Sequence, residues 1–466
     1  MERTFLIIII FIGIGMAVAM SAINGTWRAT NFSDYHDDAE VYNITALSIL
    51  EHHSFSDPQY PARGFVGIFR RSPGYPLFLA FSYALFGKTP VAAFATQTAI
   101  FLLSIFLLWR LACVYFPYPY RLAPPLLLAL SWFIALQVTA IVPELLTLFL
   151  IILFLLAFEC FFTTRRYVFL LLAGGALAWF ILIRPVALYG VPFMLMLMGL
   201  RAYNRLETKH LARAYGALLV IPFLAIGAWM VRSILVLDTW QIQSGSYVLN
   251  WKTMEATASW ERIAATGVAT LTGDIVAEKI FPGYAAQPDH YAYAKIVTAH
   301  MLAMDAHGVS EAEKERVLYR EARERIKKDP LKFIVSGIMG LFRQNVPLNH
   351  RAHPITHLFA SGGYSFLSEW QKIAILLAIR FTGYVFLAFV IAGIIINRNA
   401  WRGQWGMVLF WMLFYNMFYA FFTHNEPRYI LPLWPLYLLL ATTAIRALIN
   451  CYAHRIQTRL LPNGIR

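Results

Sequence analysis

Apolar stretches close to the ~20 residues that cross a bilayer recur along this chain of 466 residues, and they constrain its fold more than any other feature. An ordinary soluble domain is roughly 45–50% hydrophobic and about 25% charged, whereas this chain is 59% hydrophobic and 14% charged. Length alone would suggest about three soluble domains, but the apolar windows make it an all-α polytopic membrane protein. About ten windows qualify as spans, at 5–23, 91–113, 123–141, 144–162, 167–183, 186–200, 214–231, 372–396, 406–423 and 430–449. The first has Arg3 ahead of an apolar core and Ala17 and Ala19 near its end, as a signal peptide would. Its apolar run is long for a signal core, so it is read as an uncleaved first helix.

The net charge of +14, from 39 Lys and Arg against 25 Asp and Glu, might suggest nucleic acid in a soluble protein. Here the excess lies in short links between spans, so no nucleic-acid partner is expected. Arg121, Arg165, Arg166, Arg201, Arg205, Lys209, Arg213, Arg398 and Arg402, with Arg446, Arg455, Arg459 and Arg466 of the tail, all fall on one side if the N-terminus is inside. By the positive-inside rule that side is the cytoplasm. The chain then divides into an N-terminal transmembrane module (1–231) with a first outer loop (24–90), an outer lid with an interfacial helix (232–371), and C-terminal helices with a basic tail (372–466). Cys113, Cys160 and Cys451 lie in or beside apolar segments or in the tail, so cysteine usage does not report the compartment.

Two apolar stretches in the outer regions are not counted as spans. Residues 75–87 are too few to cross and suit an interfacial or re-entrant helix. Residues 331–346 include Lys332 and Arg343 and continue an amphipathic helix from about Ser310, which is expected to lie along the membrane surface. With Trp251 and Trp260 in mixed surroundings, the loop after Val231 is expected to fold as a small lid.

Ionisable residues gather at the outer side. Asp34, Asp37, Asp38 and Glu40 follow the first span, and helical spacing puts Asp34, Asp38 and Tyr42 on one face. A carboxylate crowded into a cleft there would suit a general base, while a solvated acidic loop has the same composition. Arg70 and Arg71 enter the short interfacial helix; their planar forks suit a phosphate, and they equally suit unspecific headgroup anchoring. Arg184-Pro185 interrupts an apolar stretch, and an ionisable residue among spans is a functional candidate. Glu144 opens its span after Pro143, where it also complements the helix dipole. Between the last two spans, His424 and Glu426 can orient Arg428. Together these groups fit an anionic lipid headgroup at the outer leaflet.

No metal site is expected, since there is no HExxH, EF-hand loop or paired-cysteine spacing, and His52, His53, His350, His353 and His357 read as interfacial or loop histidines. A nucleotide donor is not expected either, for want of a P-loop or GxGxxG. The N-x-Ser/Thr triplets at Asn24, Asn31 and Asn43 read as incidental.

The run Asp38-Ala39-Glu40-Val41-Tyr42 with Ala46, then Phe55-Ser56, Arg71-Ser72-Pro73-Gly74-Tyr75-Pro76-Leu77-Phe78-Leu79-Ala80 and Leu85-Phe86-Gly87, resembles the first-loop pattern of GT-C membrane glycosyltransferases. The likeness is to the branch containing protein O-mannosyltransferases and the lipid A aminoarabinose transferase. Pro143-Glu144, Leu182-Ile183-Arg184-Pro185, Trp229 with Arg232, and His424 through Arg428-Tyr429-Ile430-Leu431-Pro432 follow in the same order. The resemblance covers nearly the whole chain except roughly 250 to 310.

The resemblance implies a GT-C-like bundle that transfers a sugar, with inversion, from a polyprenyl-phosphate donor to an acceptor outside the cytoplasm. Asp38 would be the base; Arg71, Arg184 and Arg428 would surround the donor phosphate, supported by His424 and Tyr429. Glu144 would shape the sugar or acceptor pocket, with Tyr42, Glu426 and Arg232 in support. The branch often places a glutamate after its aspartate; here Ala39 follows Asp38 and Asp37 precedes it, so Asp37 stands as a partner or as the base itself. No cofactor is implied beyond the lipid-linked sugar, because arginines can take a cation's place at the phosphate. The acceptor is open among glycan, lipid and protein, and a bacterial inner membrane is the implied location. A flippase or transporter would need charged residues deep in several helices and broken, pseudo-symmetric halves. A polymerase of pyrophosphate-linked glycans is the other alternative.

Overall fold

The computed structural model describes residues 2–23, 38–55, 72–203, 207–284, 290–345, 368–423 and 426–460, and all regular structure among them is helical. In chain order the α-helices are α1 (Glu2–Ile23), α2 (Asp38–His52), α3 (Gly74–Phe86), α4 (Pro90–Tyr115), α5 (Ala123–Leu130), α6 (Trp132–Leu136), α7 (Glu144–Thr164), α8 (Val168–Ile183), α9 (Val186–Ala202) and α10 (Thr208–Leu237). There follow α11 (Ser246–Met254), α12 (Trp260–Thr272), α13 (Asp274–Ile280), α14 (His290–Ala306), α15 (Glu311–Lys328), α16 (Pro330–Asn345), α17 (Glu369–Asn397), α18 (Trp405–Phe422) and α19 (Trp434–Leu460).

Each of the ten apolar windows holds a helix or a bent pair. Among the described residues seven helices are long and apolar enough to cross a membrane, or eight if the 47° bend at Ser131 is counted within one span. The windows at 167–183 and 186–200 hold α8 and α9, apolar helices of 16 and 17 residues. The architecture expected from the sequence, an all-helical polytopic membrane protein, is the one observed.

The core is built around α7, which is apolar on all sides and 78% buried along its apolar window. A helix of that kind sits inside a bundle rather than at its rim; α4, α8 and the 427–433 segment pack on α7, and α10 packs on α8. Close approach is set by small residues, as in other membrane bundles. A Cβ on Gly174 would lie 2.4 Å from the Leu218 carbonyl oxygen, and one on Gly393 would lie 2.1 Å from that of Leu440. At the end assigned by charge to the cytoplasm, Arg201 and Glu159 form a buried bidentate pair at 2.5 and 2.7 Å between α9 and α7.

The segment between α10 and α17 packs a second, small core of Trp251, Val297, Met301 and Leu318. Its helix α15 starts under Ser310, whose side chain accepts from Glu313 N, and ends in Arg325, Lys327 and Lys328, complementing the dipole at both ends. The single helix expected from Ser310 to 346 is instead two. Asp329 sits at φ −144° and ψ 74° because Pro330 disfavours the helical conformation in the residue before it. The second piece, α16, lays Gly337 against the Phe421 ring of α18 and leaves Leu331, Ile334, Ile338 and Phe342 exposed along its other face.

Helix α3 has 13 residues, about 20 Å at 1.5 Å per residue, and is too short to cross. It packs on α2, α4 and α8, with Gly74 pressed against the backbone of Leu182 and Ile183.

Candidate active site

Four chain segments meet at the end of the bundle that the charge pattern assigns to the outside. Asp38 is the first residue of α2. Glu144 is the first residue of α7, directly after Pro143, and is 1% exposed. Arg184 occupies the break between α8 and α9, at φ −132° and ψ 87°, forced out of the helical region by Pro185. Arg428 and Tyr429 lie in a tight 3-10 segment, Pro427–Leu433, which Pro427 opens and Pro432 interrupts.

These positions pair across the chain. Arg184 Nη2 donates to Glu144 Oε1 at 2.6 Å. Arg428 donates through Nη2 to Asp38 Oδ2 at 2.7 Å and through Nε to Glu426 Oε2 at 2.5 Å. Tyr429 joins the two ion pairs: the guanidinium carbons of Arg184 and Arg428 stand 4.9 and 5.3 Å from its ring centroid, within cation–π range. Tyr419 packs on Tyr429 at 5.3 Å between centroids, and Tyr415 packs on Tyr419 at 4.5 Å. The described cluster therefore sets three carboxylates, Asp38, Glu144 and Glu426, against two guanidiniums. Among the described residues, Glu144 Oε2 and Arg184 Nε are buried with no hydrogen-bond partner.

A polar frame holds α2 and α7 in register. The Tyr42 ring meets Tyr75 edge-on at 5.0 Å. Tyr75 donates its hydroxyl to Gln97 Oε1 at 2.9 Å, and Gln97 Nε2 donates to the carbonyls of Val138 and Ala140 at 3.0 and 2.9 Å, just before Glu144. Tyr83 donates to Asn43 Oδ1 at 3.0 Å, one residue beyond Tyr42. Ser72 donates to the Ile183 carbonyl at 2.5 Å and Trp179 Nε1 to the Gly74 carbonyl at 3.0 Å, tying the start of α3 to the turn that carries Arg184.

Of the residues singled out in the sequence, Asp38, Tyr42, Glu144, Arg184, Glu426, Arg428 and Tyr429 come together here. The described contacts of Arg232 are with the rings of Trp229 and Phe55, at 4.8 and 5.7 Å. Asp34, Asp37, Arg71 and His424 lie outside the described residues. Sequence reasoning gave no role to Gln97, Tyr415 or Tyr419. Gln97 carried a signal, as a polar residue inside an apolar window, whereas the two tyrosines sit among the many aromatics of α18. Among the described residues no group of three or more His, Cys, Asp or Glu side chains is placed to hold a metal ion. Chemically, the cluster offers a carboxylate at the rim, two arginines aimed at one ring, and an orphaned donor and acceptor between them.

No protein-family model matches the sequence, and no curated protein matches it. Solved structures do. The archaeal oligosaccharyltransferase AglB from Archaeoglobus fulgidus, in complex with an inhibitory peptide and a dolichol-phosphate, aligns over 100% of this chain and 52% of its own, with TM-score 0.50 and 10% identity. The Archaeoglobus fulgidus oligosaccharyltransferase tethered to an acceptor peptide containing the NVT sequon aligns over 97% of this chain and 50% of its own, with TM-score 0.50 and 13% identity. The chain thus spans about half the length of the structures it matches. At such identities the likeness is one of fold alone: an all-helical polytopic membrane architecture similar to that of these oligosaccharyltransferases.

Proposed function

We propose that this chain is an inverting glycosyltransferase, moving a sugar from a polyprenyl-phosphate donor to an acceptor on the extracytoplasmic side, with the site facing the periplasm of a bacterial inner membrane. The observation that carries the reading is the pair of guanidiniums, Arg184 and Arg428, held against one Tyr429 ring with Asp38 beside them. A lipid phosphate is already stable as an anion, so its departure calls for positive charge rather than a proton donor. Arginine supplies that charge through a planar fork suited to phosphate oxygens. The structural neighbour solved with a dolichol-phosphate supports a polyprenyl-phosphate ligand for this fold.

In the proposed reaction Asp38 takes the acceptor's hydroxyl proton as its oxygen attacks the anomeric carbon, with Asp37 as partner or alternative base. The bond from that carbon to the phosphate breaks, and one displacement inverts the centre. Arg184, Arg428, Arg71 and His424 receive the phosphate charge, and Tyr429 holds the two described guanidiniums. The orphaned Arg184 Nε is suited to a phosphate oxygen and the orphaned Glu144 Oε2 to a sugar hydroxyl. Neither a metal nor another cofactor enters the scheme.

The test is transfer from a panel of labelled polyprenyl-phosphate monosaccharides in membranes containing the chain, with Arg428→Ala as control. Transfer lost in the variant supports the reading; consumption of pyrophosphate-linked oligosaccharide alone overturns it.

A further inference from the structure

Helix α16 is seated against the membrane-crossing helix α18 at two different depths. Near its start the Phe333 ring meets Phe421 at 6.3 Å between centroids, and Gly337 lies against the same ring, close to the end of α18 that leads to the candidate site. At its far end Gln344 Nε2 donates to the Asn416 carbonyl at 2.8 Å and Asn345 Nδ2 to Asn416 Oδ1 at 2.7 Å. Asn416 donates to the Tyr437 hydroxyl of α19 at 2.7 Å, and Tyr437 donates to Asn345 Oδ1 at 2.5 Å, closing a ring of three side chains. From Gly337 to Asn345 the chain advances about 12 Å, while its partner on α18 moves from Phe421 back to Asn416, about 7.5 Å toward the middle of that span. A helix flat on the membrane would meet the spans only at their ends.

The two faces of α16 differ in kind. Ser336, Gly337, Gly340 and Gln344 are buried against the protein, whereas Leu331, Ile334, Ile338 and Phe342, at helical spacing on the opposite face, are exposed. Apart from Pro330 these four are the exposed residues of the helix, and none is polar. Arg343, the charged residue near the far end, stands within electrostatic reach of Glu255 and Tyr284, on the protein side. Leu413, about one turn deeper in α18 than Asn416, is exposed as well, so apolar exposure continues past the tip of α16.

We infer that α16 is a half-inserted, re-entrant helix, and that its row of Leu331, Ile334, Ile338 and Phe342 is a lipid-binding face for the acyl chains of the leaflet on the candidate site's side. Water is a costly neighbour for a face made only of Leu, Ile and Phe. Inside the bilayer a helix end must find its polar partners in protein. The ring of Asn345, Asn416 and Tyr437 supplies them and holds the tip at its depth. Because α16 also packs on Pro427–Leu433, this face stands about one helix diameter, roughly 10 Å, from the segment that bears Arg428. Leaflet lipid therefore borders the candidate site there, whatever reaction the site performs.

The test is immersion depth along α16 in the full chain, carrying Cys113→Ser, Cys160→Ser and Cys451→Ser and reconstituted in phosphatidylcholine vesicles. Nitroxide labels are attached in turn through Leu331→Cys, Ile334→Cys, Ile338→Cys and Phe342→Cys, and their collisions with oxygen and with a water-soluble nickel chelate are compared. All four labels should favour oxygen, and depth should increase by about 10 Å from position 331 to position 342. Equal depth at the four positions would describe a helix flat on the surface, and a preference for nickel would describe an aqueous face; either overturns the inference. In the unmodified chain, a phosphatidylcholine carrying a diazirine midway along its acyl chain should label Ile338 and Phe342 more than Leu331. This readout holds even if a cysteine variant fails to fold, and even, reversed or absent labelling contradicts the proposal.

Discussion

Arg184 donates to Glu144 across 2.6 Å in a pair where the glutamate side chain is 1% exposed and the arginine 14%. Breaking such a pair on one side leaves an uncompensated buried charge, which costs about 3–5 kcal/mol. Glu144→Ala should therefore lower the unfolding temperature in detergent sharply. Glu144→Gln, which keeps an oxygen for Arg184, should lose less, and the double change Glu144→Ala with Arg184→Met should recover part of the loss. Equal losses in all three would mean that the pair contributes nothing of its own.

Gly74 is where the short helix α3 touches the turn carrying Arg184. A Cβ there would stand 2.9 Å from both Ile183 N and the Leu182 carbonyl carbon, so the backbones must part. Gly74→Ala should cost about 1–3 kcal/mol as an overpacked contact and should weaken lipid-phosphate binding through the displaced Arg184. A variant with unchanged stability and binding would show that α3 is free to shift.

General-base catalysis contributes roughly 10²- to 10⁴-fold, so Asp38→Asn should lower transfer by about that factor. Turnover kept in Asp38→Asn would move the base to Asp37 or Asp34. Arg428→Ala should weaken donor binding by about ten-fold or more, as expected for loss of a charged hydrogen bond, and unchanged donor affinity would remove Arg428 from the phosphate site.

In the segment between α10 and α17, burial raises the carboxyl of Glu315 above its ordinary range, against the hydrogen bonds it accepts from Ser244 Oγ and Ser246 N. A proton held more tightly in the folded than in the unfolded chain gives stability that is complete below the ordinary carboxylate pKa. That stability is lost as pH rises toward the raised folded value. Glu315→Gln is neutral at every pH, so its stability relative to the unmodified chain should improve as pH rises above the ordinary glutamate pKa of about 4. Hydrogen exchange of the α11 and α15 amides measures this, and parallel pH curves would assign the slope to another group.

The spans were legible because apolar runs of this length have few other uses, and Asp38, Glu144, Arg184 and Arg428 stood out as ionisable residues at the ends of those runs. Their partnerships were not legible. Arg428 meets Asp38 across 390 positions and Arg184 meets Glu144 across 40, and such contacts depend on how the bundle packs. The frame through Gln97 is hidden for the same reason, since a polar residue in an apolar window announces a partner without naming it. The break at Asp329 shows the reverse failure. The amphipathic period runs through Pro330 and suggested one helix, while the proline's effect on the preceding backbone decided for two.

The proposed reaction requires Arg184 and Arg428 to hold a lipid phosphate beside Asp38. The most direct test is a high-resolution structure, with lipid mass spectrometry, of the protein purified in mild detergent together with its bound lipid. The expected result is a polyprenyl monophosphate with its phosphate against both arginines and Asp38 turned toward its head. An oligosaccharide pyrophosphate in that place, or a cavity opening alternately to the two sides of the membrane, would contradict it.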